Sequence, residues 1–158
     1  MMKLREVADI FRGAYLLEGK SDEKKRSYKE LSMISLEPIS FLDERKVIKV
    51  KVTEKVPNKQ LTRAGDVVVS LYSPMIACYV EKGQEGYVVP HYMAIVRMKS
   101  YVKLDSRFIV HFINSARGRR ALIKISEALS SSRPTSLPLV TLNEVELLTE
   151  SNSIVDRF

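Results

Sequence analysis

The chain has 158 residues, 45% hydrophobic and 28% charged, with a formal net charge of +7, which suits one globular domain over residues 1–158 with a real apolar core. No apolar run approaches the roughly 20 residues that cross a bilayer, and Arg5, Glu6, Asp9 and Arg12 interrupt the amphipathic start, so neither a membrane segment nor a signal peptide is expected and the expected location is cytoplasmic. Cys78 is the only cysteine, which excludes an intrachain disulfide and a cysteine metal cluster.

The positive charge is regional. Residues 97–124 hold Arg97, Lys99, Lys103, Arg107, Arg117, Arg119, Arg120 and Lys124 against Asp105 alone, and the end of the chain is acidic, with Glu144, Glu146, Glu150 and Asp156 against Arg157. Such a bias permits a polyanionic partner without proving one.

In chain order, residues 4–13 predict a short turn running into a strand that ends at Gly13. Residues 20–29 are charged and lack apolar periodicity, which predicts an exposed loop. Residues 28–39, with Leu31, Met33, Ile34 and Leu36, predict a strand leading to a turn at Pro38. Residues 47–52 alternate apolar and basic side chains, a half-buried strand with Lys49 and Lys51 on its wet face. Those lysines suit phosphate contact and edge-strand solubility equally well.

The stretch 61–98 organises the rest. Its apolar runs at 67–71, 75–80 and 87–96 are separated by Ser73-Pro74 and by residues 82–86, which predicts an antiparallel meander whose second connection is a hairpin loop. Gly65, in Ala64-Gly65-Asp66, is free to take positive φ at the turn into the first strand. Beyond it, Phe108, Ile109, Phe112 and Ile113 have helical spacing after Asp105 or Ser106 as N-cap. A break at 114–118 precedes a second helix over 119–129, a polar loop over 130–136, a helical turn at 141–144 and a last strand at 145–148. The expected class is α+β: a curved, mostly antiparallel sheet with two short helices toward the C-terminal half.

Catalytic signatures are missing. His91 and His111 are the only histidines and, with one cysteine, offer no zinc spacing. There is no G-x-S-x-G elbow, no phosphate loop and no dinucleotide fingerprint. Asp43-Glu44-Arg45-Lys46 contains an acid-x-lysine element of the metal-dependent nuclease kind, in a charged turn and too short to be specific. The expectation is a protein without enzymatic activity, cofactor or metal.

The order of elements resembles the target recognition domain of type I restriction–modification specificity subunits. The likeness runs through L-R-E-V-A-D-I-F-R-G at 4–13, L-T-R-A-G-D-V-V-V-S at 61–70, the strand Y-M-A-I-V-R at 92–97, the helix F-I-V-H-F-I-N-S-A-R-G-R-R-A-L at 108–122, and the serine-rich loop before S-L-P-L-V-T-L-N-E-V-E-L-L. It implies a DNA-reading module that directs a separate methyltransferase subunit, with a restriction subunit as a further partner and a homodimer as an admissible assembly. The chain has no [DN]-P-P-[FY] methyltransferase motif, in keeping with that division of labour. It departs from the family in having one recognition unit and no long heptad helices. It also has Ser73-Pro74 and Leu129-Ser130 where glycine is frequent.

Reading duplex DNA takes cations on phosphate and polar side chains at base edges. The nominated DNA-binding residues are Lys20, Lys24, Lys25, Arg26 and Lys29 in the basic loop, Tyr72 and Ser73 in the turn, Gln84, His91 and Tyr92 in the loop before the long strand, and Ser132, Arg133 and Thr135 in the serine-rich loop. Arg26 and Arg133 suit guanine and Gln84 suits adenine, whereas Arg117, Arg119 and Arg120 cluster at a helix start and suit phosphate. Two alternatives stay open: a protein-interaction domain of the same fold, and an RNA-binding domain in which Tyr72, Tyr87 and Tyr92 stack on bases.

Overall fold

A computed structural model describes residues 2–16, 26–38, 40–72, 75–129 and 139–147. In chain order the elements are β1 (Met2–Lys3), α1 (Leu4–Val7), β2 (Ala8–Arg12), β3 (Arg26–Glu30), β4 (Ile48–Val52), β5 (Val67–Ser70), β6 (Ala77–Tyr79), β7 (Tyr87–Val88), β8 (Met93–Met98), α2 (Ser106–Asn114), α3 (Ala116–Leu129), α4 (Leu139–Glu144) and β9 (Glu146–Leu147). The class is α+β with mostly antiparallel strands, as the sequence predicts, but the strands divide among three sheets.

The largest sheet has the order β2-β8-β5-β6 and is antiparallel throughout. Its central strand β5 is a run of valines because both of its faces are covered, and all four of its residues are buried. Period-two alternation sends Val67 and Val69, with Ala94 and Val96 of β8, to the side packed by Ile109, Val110 and Ile113 of α2. Val68 and Ile95 point the other way, onto Leu31, Leu36 and Leu42. The sheet is therefore a middle layer, with helices on one face and the segments around the smaller sheet on the other.

Ser115 ends α2 and starts α3. Its backbone N–H donates to the His111 and Phe112 carbonyls, and its Oγ accepts from the Gly118 N–H at 3.0 Å. A Cβ at Gly118 would lie 1.8 Å from the Phe112 oxygen, so glycine is what lets the two helices turn so tightly. The break expected over 114–118 shrinks to this one residue, and α3 starts at Ala116 rather than 119. Asn114 completes the outer edge of β6: its Oδ1 accepts from the Ala77 N–H and its Nδ2 donates to the Ala77 carbonyl, both at 2.8 Å.

The smaller sheet has the order β4-β3-β7, with β3 antiparallel to β4 and parallel to β7. It changes three expectations. Arg26 and Lys29 lie in a strand, not in an exposed loop. The apolar run after it forms a 3-10 turn at Met33–Ser35 in place of a strand. The run 87–96 is two strands in different sheets, so residues 82–86 join sheets instead of closing a hairpin. The reason is Pro90, which has no N–H for a ladder; its carbonyl accepts from the Met93 N–H at 3.0 Å and turns the chain. A third sheet pairs β1 with β9, and Lys3 Nζ meets Glu144 beside it at 2.7 Å.

Asp66 is almost fully buried and pairs with Arg97 of β8. The Arg97 Nε and Nη2 donate to the two carboxylate oxygens at 3.0 and 2.8 Å, and Nη2 also donates to the Leu61 carbonyl at 2.9 Å. The Arg63 N–H donates to Asp66 Oδ2 at 2.9 Å. Removing one partner of such a pair leaves the other charge buried alone. Asp66→Ala is expected to lower stability by about 3–5 kcal/mol in urea unfolding, with part of the loss recovered when Arg97→Met is added.

Candidate nucleic-acid interface

The register of β3 and β4 places Lys29 directly opposite Lys49, and Ser27 opposite Lys51. Partners in register share a face, so three lysines project from one side of the small sheet, and all three are exposed. Among the described residues none of them makes an ion pair. Like charges set directly opposite each other destabilise a strand pair. The face borders a groove of about 800 Å³ that continues past Tyr87 to Gly83, Glu85 and Gly86. The acid in it, Glu85, accepts from the Gly83 N–H at 2.9 Å.

The opposite face carries Arg26, Tyr28 and Glu30. Tyr28 packs with Val52 and Val88, and its hydroxyl accepts from the Val56 N–H at 3.1 Å. A second groove, of about 570 Å³, runs between Glu30 and Val50 on one side and Ala14, Leu16, His91 and Tyr92 on the other, with Lys49 and Lys51 also along it. Its aromatic wall is ordered by stacking: His91 lies on Tyr15 with centroids 4.0 Å apart and planes 11° from parallel, and Tyr92 meets His91 edge-on at 5.4 Å.

The backbone beneath that wall is tightly tied. The Gly13 N–H donates to the Met93 carbonyl at 2.9 Å and the Ala14 N–H to the Val89 carbonyl at 2.7 Å, while Arg12 Nη1 donates to the His91 carbonyl at 3.2 Å. A Cβ at Gly13 would sit 1.9 Å from the Pro90 oxygen. Glycine there is a requirement of this close approach. Glu30 is half-buried and, among the described residues, has no hydrogen-bond or ion-pair partner. Burial pushes its carboxyl up from the usual range. Tyr92 is pushed up as well, first by burial and then by the Glu30 charge.

Of the residues nominated from sequence, Lys20, Lys24, Lys25, Ser73, Ser132, Arg133 and Thr135 lie outside the described residues. Arg26 and Lys29 fall on opposite faces of β3, and His91 and Tyr92 form the aromatic wall. Tyr72 is 45% exposed, beyond the end of β5. Gln84 is turned inward, its Oε1 accepting from the Glu81 N–H and its Nε2 donating to the Leu42 carbonyl, both at 3.1 Å. That side chain serves the loop and is not available to a base. Tyr87 is likewise buried, which withdraws it as a stacking platform.

Arg117, Arg119 and Arg120 sit on α3, in the helical layer, across the large sheet from the segments that carry the lysines. Arg119 Nε is buried without a hydrogen-bond partner among the described residues. Arg97, counted in the basic region, is neutralised by Asp66. Sequence reasoning missed Arg12, Tyr15 and Glu30, and left Lys49 and Lys51 evenly between phosphate contact and edge-strand solubility. The period-two pattern of residues 47–52 was the available signal; nothing near Tyr15 announces that it stacks on a residue 76 positions later.

No family model matches the chain, and no curated protein matches it. Among solved structures, a chain from work on the complex assembly and conformational transition of the type I R-M system is similar in fold. The TM-score is 0.63 at 11% sequence identity, over 91% of this chain and 36% of that one. The present chain thus spans little more than a third of that chain's length. No helix of the described residues is long and apolar enough to cross a membrane.

Because folded Glu30 holds its proton more tightly than the unfolded chain does, stability falls as pH rises from the ordinary value of 4.5 through the raised one. Glu30→Gln removes that loss. The variant is expected to unfold at higher urea than the wild type near neutral pH, and to lose this advantage well below pH 4.5, where both folded and unfolded carboxyls are protonated.

Proposed function

We propose that the chain is a duplex-DNA recognition module of a type I R-M system, a single domain over residues 1–158 that carries no catalytic activity and directs a separate methyltransferase subunit to its target. The observation that carries this reading is the lysine face of the small sheet, Lys29, Lys49 and Lys51, which makes no ion pair among the described residues, with the groove of His91 and Tyr92 on the sheet's other side. Lysines without carboxylate partners are suited to phosphate, and phosphate contacts position a protein on a duplex. The fold likeness to a chain of a type I R-M system supports the same reading. Arg26, at the start of β3, is the described candidate for a forked contact to guanine. Arg117, Arg119 and Arg120 are a second set of phosphate contacts on the helical side. Arg133 with Ser132 and Thr135, and Lys20 with Lys24 and Lys25, complete the proposed set.

Electrophoretic mobility shift against a random duplex pool, repeated over a salt series, tests this directly. Binding should weaken with a log–log slope of about 0.9 for each phosphate contacted. Changing Lys29, Lys49 and Lys51 together to alanine should weaken binding to every sequence and flatten that slope by roughly 2–3. Absence of duplex binding at low salt, or preference for single-stranded RNA in the same assay, would replace the reading with one of its alternatives.

A further inference from the structure

We infer that the groove between Glu30 and the His91–Tyr92 wall receives one unstacked guanine, its base against those rings, its donor edge on the Glu30 carboxylate and its phosphate toward Lys49 and Lys51. This deepens the proposed DNA reading, with the nucleic acid as the source of the base.

Three features of the groove lead there. The first is its shape. Glu30 is half-buried inside a hollow of about 570 Å³, where the edge of a base still stacked in a duplex cannot arrive. A base that has left the stack can, as in proteins that draw a nucleotide out and read its Watson–Crick edge. The second is the wall. His91 and Tyr92 line the groove, and Tyr15, outside that lining, holds the His91 ring in place by stacking on it. Ordered aromatic rings along a groove offer π surface to a flat base, an interaction every base makes.

The third feature selects the base. An ionised carboxylate only accepts hydrogen bonds, and Glu30 has no donor facing it among the described residues. The Watson–Crick edge of guanine presents two adjacent donors, N1–H and the N2 amine, which converge on one carboxylate. Adenine and cytosine each present a single amine beside an acceptor nitrogen, and that acceptor faces a carboxylate oxygen unfavourably. Burial already makes the lone Glu30 charge costly, and two donors relieve that cost. Lys49 and Lys51 on the neighbouring edge strand reach the same groove and supply the countercharge for phosphate.

The probe is guanosine 5′-monophosphate, titrated into the ¹⁵N-labelled chain and compared with inosine, adenosine and cytidine monophosphates. Inosine differs from guanosine only in lacking the N2 amine. Guanosine monophosphate should shift the amides of Tyr15, Glu30, Lys51, His91 and Tyr92, and inosine monophosphate should bind about tenfold more weakly for want of one charge-assisted hydrogen bond. Glu30→Gln should abolish the preference for guanine while leaving weak binding of all four nucleotides. Tyr15→Ala, at an exposed position outside the core, releases the His91 ring that it holds and should weaken all four alike. Equal shifts with every nucleotide in the wild type, or none at these amides, overturn the inference.

A duplex arm identifies the source. In the site selected from a random pool, an abasic residue placed opposite each guanine in turn lowers the cost of unstacking that guanine. Tighter binding at one position, lost in Glu30→Gln, assigns the groove to a base drawn from DNA. A flat scan beside selective guanosine monophosphate binding overturns DNA as the source. If the wild type binds no duplex at all, it is the proposed function that falls, and the nucleotide titration still decides the chemistry of the groove.

Discussion

The carboxylate of Asp66 holds the strap 60–66 against the large sheet, and the candidate interface hangs from that strap. Arg97 of β8 donates to the carboxylate and to the Leu61 carbonyl, which fixes the strap to one side of the sheet. Gly65, at φ +89°, lets the next turn close: its N–H donates to the Val80 carbonyl while the Val80 N–H donates to the Asp66 carbonyl, each at 2.9 Å. Thr62 then takes hold of the loop beyond β6. Its Oγ1 donates to the Gln84 carbonyl at 2.6 Å and accepts from the Tyr87 N–H at 2.9 Å. The Val89 N–H donates to the Gln60 carbonyl at 3.0 Å. Through these bonds β7 is placed, β7 pairs with β3, and β3 carries both Lys29 and Glu30. A buried ion pair of this kind contributes little net stability over an apolar substitute. Its role here is geometric: it decides where a second sheet can attach.

The same bonds correct the electrostatic picture. Positive charge counted along the chain is densest over 97–124, but Arg97 is internal and balanced, and Arg107 pairs with Asp105 at 3.6 Å while its guanidinium lies 4.6 Å from the Tyr79 ring centre. Lys29, Lys49 and Lys51 are fewer and come from two separate strands, yet they converge on one face and, among the described residues, make no ion pair. What a polyanion meets is the arrangement of unpaired charge, and pairing in three dimensions is invisible to a running count.

Much of the fold was legible because local chemistry and tertiary structure agree where the chain is regular. The valines of β5, the alternation of β4, the Asp105 N-cap of α2 and the turn at Gly65 all follow from period and residue type. What escaped depends on single contacts between distant residues. Pro90 divides an apolar run that composition alone reads as one strand, because the sheet to which each half belongs is chosen by Gly13 and the strap 60–66. Gln84 looks like a base reader in a glycine-rich loop and is instead the loop's internal brace, since its amide finds the Leu42 carbonyl across the molecule. The aromatic wall needs Tyr15 and His91 to meet, and no local pattern links them. Four of the nominated residues, His91, Tyr92, Lys29 and Arg26, still gather on or beside the small sheet, because turn-flanking polar residues and alternating lysines are surface signals in any topology.

Edge protection is the ordinary explanation for lysines on a strand, and it accounts for Lys49 and Lys51, since β4 lies at the margin of its sheet. It does not account for Lys29. That residue is on β3, the central strand, paired on both sides, where no open ladder needs guarding. Its charge is set against Lys49 at a cost to the sheet, and on the next residue of the same strand Glu30 stands half-buried and, among the described residues, without a partner, at a further cost. Two adjacent residues of one five-residue strand, pointing to opposite faces, thus oppose the stability of the element that carries them. Local choices that work against the fold concentrate where a surface has another task. On β3 the two charges, unpaired among the described residues, have opposite sign and face two different grooves, and Lys49 and Lys51 of β4 lie along both.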